Sequence, residues 1–176
     1  MSFLQDVLKA ALFDARAYGA VGDRPEAMFR SLAVVAAAGI ALGIGIQGLT
    51  IEGRNESPAT LMLLAFSTAV MGWLLWTTVV YLLGTRLLGG KAGYRELMRS
   101  MGMVYGPGLL LAFIAVPAVG GTLLLVSLVW MLAAGTIAIR EVQGWGTMRA
   151  LGPAGIGWTL AHILLPVIVL APNPPP

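Results

Sequence analysis

From Leu32 to Ala171 the chain is apolar almost without interruption, and its few charged residues gather into short clusters that divide the stretch into segments of about twenty residues. As an α-helix rising 1.5 Å per residue, such a segment reaches about 30 Å and covers the hydrocarbon core of a bilayer. Apolar residues make up 58% of the sequence and charged ones 11%, against roughly 25% charged in soluble domains. A soluble core of this size has no room for so much apolar surface, whereas lipid covers it directly. The expected fold is all-α: a polytopic membrane helix bundle of about five transmembrane helices, preceded by an N-terminal amphipathic interfacial helix.

The segments are read as follows. Ser2 to Tyr18 form the amphipathic helix, with Phe3, Leu4, Val7, Leu8, Ala11, Leu12, Ala15 and Tyr18 on one side. Its charges cancel, so it lies in the interface by its apolar face or packs against a partner. Gly19 to Gly22 are expected to break it, and Asp23, three residues before Glu26, to cap the next helix. The spans are then Leu32–Ile51, Ala59–Gly84, Met101–Val116, Thr122–Ile139 and Pro153–Ala171. Residues 1–30 form a cytoplasmic segment, 31–171 the membrane domain, and 172–176 a proline tail in polyproline form. The first apolar run begins too far in for a secretory signal, so the N-terminus is expected to be retained.

Charge orients this bundle. Lys9, Arg16, Arg24 and Arg30 precede the first span, Arg86, Lys91, Arg95 and Arg99 follow the second, and Arg140 and Arg149 follow the fourth. The opposite loops hold only Arg54. That bias places the N-terminus and both basic loops in the cytoplasm and the C-terminus outside. Gly106-Pro107-Gly108 in the third span admits a re-entrant alternative, which the charge pattern resists, since it would put the two basic loops on opposite sides.

No chemistry-bearing constellation emerges. The chain has no cysteine, which excludes disulfides and thiolate chemistry. The basic residues lie between apolar segments without interleaved aromatics, so the net charge of +3 does not imply nucleic acid. Gly89-Gly90-Lys91 lacks the spacing and the following Ser or Thr of a phosphate loop. His162, the one histidine, sits mid-way along the last span and is the single candidate cofactor ligand; a packing histidine is the preferred reading, because Trp158 one turn earlier blocks a macrocycle. No cofactor or metal is expected, and no enzymatic activity. Gly39 with Gly43, and Gly102 with Gly106, have the spacing that lets membrane helices approach closely. Trp73 and Trp76 fall mid-span, away from the interfaces tryptophan favours, and are assigned to helix packing.

Leu88-Gly89-Gly90, Tyr94-Arg95-Glu96-Leu97, Tyr105-Gly106-Pro107, Pro117-Ala118-Val119-Gly120-Gly121, Trp130, Arg140 and Trp145-Gly146-Thr147-Met148-Arg149-Ala150 form a pattern of loop and span residues. Over residues 87–158 it resembles the Yip family of Ypt/Rab-interacting membrane proteins, in its bacterial branch. The resemblance implies a cytosolic N-terminus and a five-helix bundle, in agreement with the charge pattern. Eukaryotic members are associated with Rab GTPases and vesicle traffic; that role is not carried over, because the residues before the first span include no acidic GTPase-binding motif.

The expected function is that of a non-enzymatic scaffold or interaction partner in a bacterial inner membrane. Membrane lipids, other membrane proteins or a second copy are its expected partners. Arg86, Lys91, Arg95, Arg99, Arg140 and Arg149 are the candidate lipid or partner contacts. Two rival readings stay open: an accessory subunit of a larger respiratory or photosynthetic complex, and a small transporter or channel with Pro107 and Pro166 in discontinuous helices.

Overall fold

The computed structural model describes residues 14–49 and 56–170. The amphipathic residues before Asp14, the end of the first expected span with Arg54, and the proline tail lie outside the described residues. Helix α1 covers Ala15–Gly22, α2 Ala27–Gln47 and α3 Pro58–Val80, which runs on as a π-helical turn over Tyr81–Leu87. Helix α4 spans Tyr94–Met103 and is followed by a 3₁₀ segment, Gly106–Phe113. Helix α5 is Gly120–Gln143, and α6, Thr147–Thr159, continues through a π-helical turn at Leu160–Leu164 into α7, Leu165–Val169.

Among the described residues, four helices are long and apolar enough to cross a membrane: Ala27–Gln47, Pro58–Leu87, Gly120–Gln143 and Thr147–Val169. Only 22% to 50% of their apolar windows is buried inside the protein. Leu63, Leu125, Val129, Val167 and Ile168 are among the large side chains left facing outward. Such a belt is what lipid covers, and the bundle is a membrane fold.

The segment expected as a third continuous span is instead two pieces. Helix α4 stops at Met103, just before Gly106-Pro107-Gly108, where Pro107 removes a backbone donor and the glycines disfavour helix. The 3₁₀ segment takes over, and the two pieces together reach about 30 Å at 1.5 and 2.0 Å per residue. Irregular backbone at membrane depth is tolerated only where protein encloses it. Residues 101–108 are all buried.

Contacts at the two ends show that this broken segment traverses the bundle. At one end, Arg99 reaches the Gly22 carbonyl, Arg149 the Leu88 carbonyl, and Gln143 the Ala92 amide. At the other, Ile114 packs with Ile46, Leu61 and Leu170, and Gly45 and Gly48 face Leu111 and Ala115. The chain therefore leaves the first end at Gly93 and returns from the second at Gly120. Among the described residues, four long apolar helices and one broken segment running from one end to the other make up the bundle.

Several boundaries differ from expectation. Gly19 to Gly22 do not break the first helix; they complete α1, whose N-cap is Asp14, with the side chain accepting from the Arg16 amide at 3.1 Å. Asp23 is the C-cap of α1 and caps nothing downstream. The described part of this helix packs on α4 and α5 with Tyr18 fully buried, so here it is an internal element of the bundle rather than an interfacial one. Arg95 and Arg99 lie on α4 rather than in a loop. The last span begins at Thr147 and holds Pro153 within α6, which shortens the second basic loop to three residues around the left-handed cap Gly144.

Candidate functional site

Polar chemistry concentrates in two places: the basic end and a cavity at mid-depth. The basic end is assembled from three distant parts of the sequence. Arg99 Nε donates to the Gly22 carbonyl at 2.7 Å, and Ser100 Oγ to the Tyr18 carbonyl at 2.8 Å, so α4 holds α1 in place. Burial of Tyr18 pushes its phenol pKa upward, keeping it neutral. Arg149 donates to the Leu88 carbonyl and lies over the Trp145 ring at 4.6 Å, and Arg140 reaches Thr147 Oγ1 at 3.4 Å. Arg86 sits 5.5 Å from the Tyr81 ring centroid. Arg86, Lys91, Arg95 and Arg149 are exposed, whereas Arg99 and Arg140 are half-buried. The six candidate contact residues thus share one end of the molecule, and Arg99 is engaged within it.

The small-residue positions join helices inside the bundle. A methyl group at Gly39 would meet Phe66 Cα and Ala69 Cβ of α3 at 3.0 Å, one at Gly43 would meet Met62, and one at Gly102 would meet Ser31. Gly106 faces open space. Trp73 and Trp76 are buried, and their indole N–H groups donate to backbone carbonyls of Met98 and Ala154 at 3.0 and 3.1 Å. Gly135 and Gly157, which spacing did not single out, flank the Trp76 indole so closely that neither admits a side chain. Three polar side chains along the spans are satisfied locally: Thr68, Ser127 and Thr136 each donate to the carbonyl four residues back.

The cavity, of about 290 Å³, lies between α2, α3, the 3₁₀ segment, α5 and the last helix. Leucine, methionine and alanine side chains make most of its wall, and Thr68, Tyr105 and His162 supply the polar part. His162 is enclosed by aromatic rings: Trp76 edge-on at 5.0 Å, Tyr105 at 5.4 Å and Trp158 stacked at 6.0 Å. Its Nδ1 is 3.3 Å from the Trp158 carbonyl. A carbonyl only accepts, so Nδ1 carries the proton and Nε2 the lone pair. Tyr105 was visible in the sequence only as part of a loop pattern; a lone phenol within an apolar run is the signal that marks it.

A buried broken crossing, a lipid-facing belt and a basic end define a polytopic all-helical membrane protein. The chain matches the Yip1 domain over residues 12–168 and belongs to that family. The match extends well beyond residues 87–158, over the first two spans as well. No curated protein and no solved structure matches it significantly.

Proposed function

We propose that this protein is a non-enzymatic scaffold of a bacterial inner membrane, acting through contacts of its basic end with anionic headgroups and with other membrane proteins or a second copy. The observation that carries this is the convergence of Arg86, Lys91, Arg95, Arg140 and Arg149 on one end of the bundle, four of them exposed. Each such residue near an anionic surface contributes about 1 kcal/mol of attraction. The positive-inside rule assigns that end to the cytoplasm, with residues 1–30 beside it, residues 31–171 as the membrane domain, and the C-terminus outside. Arg99 contributes by holding α1 against α4 more than by reaching lipid.

Purification of the tagged protein at native level in mild detergent, with native gel sizing and mass spectrometry, tests the proposal. A monomer or homodimer retaining anionic lipid supports it, as does a small set of substoichiometric partners. A fixed set of larger membrane subunits would replace it with an accessory-subunit role. Loss of anionic lipid on replacing Arg86, Lys91 and Arg95 by Gln is expected; unchanged lipid retention would remove the headgroup contact from the proposal.

A further inference from the structure

The mid-depth cavity holds a polar pair that the scaffold role does not use. Tyr105 is 3% exposed, and its hydroxyl and His162 Nε2 are both closed off, without a hydrogen-bond partner among the described residues. Both side chains line the cavity, with their ring centroids 5.4 Å apart. A buried polar atom left without a partner costs about 1–3 kcal/mol. At membrane depth, where bulk water is absent, a ligand that pairs both atoms recovers that cost.

The two atoms ask for different things. Tyr105 offers an O–H donor, and His162, with its proton committed to the Trp158 carbonyl through Nδ1, offers a lone pair at Nε2. A hydroxyl group answers both at once, accepting from Tyr105 and donating to His162. The lining includes no Asp, Glu, Lys or Arg, and an ion buried there without a counter-charge costs several kcal/mol, so the head is neutral. The lining also includes Leu124, Ile163 and Val167, which are exposed on the outer surface of α5 and the last helix. That wall opens toward acyl chains, so the rest of the ligand is apolar. The volume suits a head and the first part of a chain, being at the lower end of ligand pockets, roughly 300–1,000 Å³.

We propose that the cavity binds a neutral, membrane-dissolved amphiphile, its hydroxyl head seated between Tyr105 and His162 and its apolar chain leaving past Leu124 and Val167. The test uses 2-bromohexadecan-1-ol, titrated into the full-length protein in phosphatidylcholine liposomes, with tryptophan quenching as the readout. Trp76, edge-on to His162, and Trp158, stacked on it, report a bromine held beside it. The methyl ether of the same bromo-alcohol keeps the acceptor oxygen, lacks the donor, and measures simple partitioning. Saturable quenching by the alcohol and only linear quenching by the ether is expected. Tyr105→Phe should weaken alcohol binding about tenfold, one hydrogen bond's worth. The double variant Leu124→Phe/Val167→Phe, which narrows the mouth from exposed positions and leaves the polar pair in place, should remove saturation. Equal curves for alcohol and ether, or an alcohol curve unmoved by both variants, would overturn the proposal.

Discussion

Gln143 and Ala92 lie 51 residues apart and are joined by a buried hydrogen bond, the Ala92 amide donating to Gln143 Oε1 at 3.0 Å. Gln143 Nε2 donates in turn to Thr85 Oγ1 at 2.9 Å, and Thr85 Oγ1 to the Ala92 carbonyl at 3.0 Å. The three residues form a closed ring in which each group is satisfied by the next, and Gln143 is 1% exposed. The ring ties the end of α5 to the turn between α3 and α4, and so fixes two basic segments side by side. Gly90 packs so closely on the Gln143 amide that a side chain there would displace it.

Gln143→Leu keeps the side-chain volume and leaves the Ala92 amide buried without an acceptor. The expected loss is about 1–3 kcal/mol, read as a lower unfolding temperature in detergent. A cysteine at Ala92, which is 1% exposed, should be reached slowly by a thiol reagent when Gln143 is present and faster in the Leu variant. Equal rates would show that the ring does not hold the turn.

Trp76 and Gly157 form a tight knob and hole. The indole is fully buried, donates to Ala154 of the same helix as Gly157, and leaves no space for a Cβ at Gly157 or at Gly135. Gly157→Val is expected to destabilise by about 1–3 kcal/mol, the usual range for overpacking. Trp76→Leu alone should also destabilise, through the lost volume and hydrogen bond. Combined, the two should cost less than their sum, because each removes what the other collides with. Additive losses in thermal unfolding would place the indole elsewhere.

Arg99 holds α1 by donating to the Gly22 carbonyl. Arg99→Met preserves the aliphatic stem and removes a charge-assisted hydrogen bond of about 1.5–3 kcal/mol. Opening of α1 then rises by about tenfold or more, and tryptic cleavage after the exposed Arg16 should quicken by the same factor when opening is fast relative to cleavage. Unchanged cleavage would mean that Tyr18, Val21 and Ser100 suffice to seat the helix.

The sequence made the membrane bundle legible because apolar length and charge clustering are properties of composition along the chain, and lipid imposes them helix by helix. Gly39, Gly43 and Gly102 were legible for a similar reason: close approach demands small residues at helical spacing. Gly135 and Gly157 were not, since their partner, Trp76, comes from another helix and no local period links them. The Gln143 ring was hidden in the same way, joining three positions that share no pattern. Tyr105 sits beside Gly106-Pro107, which marked the break in the third crossing but not what the break encloses. Asp23 failed as a predicted N-cap because α1 runs on through Gly22 instead of breaking at Gly19, and takes Asp23 as its own C-cap.

The broken crossing makes the sharpest prediction, and the absence of native cysteine makes it simple to test. Lys91, Met148 and Val119 are exposed, the first two at the basic end and the third at the turn before α5. Replaced singly by cysteine, Lys91 and Met148 should react with a membrane-impermeant maleimide from the same side of the membrane, and Val119 from the opposite side. In intact bacterial cells the positive-inside rule further predicts labelling of Val119→Cys alone, the other two reacting only after the membrane is opened. If the segment between Gly93 and Gly120 dipped in and returned, Lys91 and Val119 would share a side, and Met148, one crossing later, would move to the other. Met148 against Lys91 is therefore the deciding pair, since α5 crosses in either case and only the broken segment sets the side from which it starts.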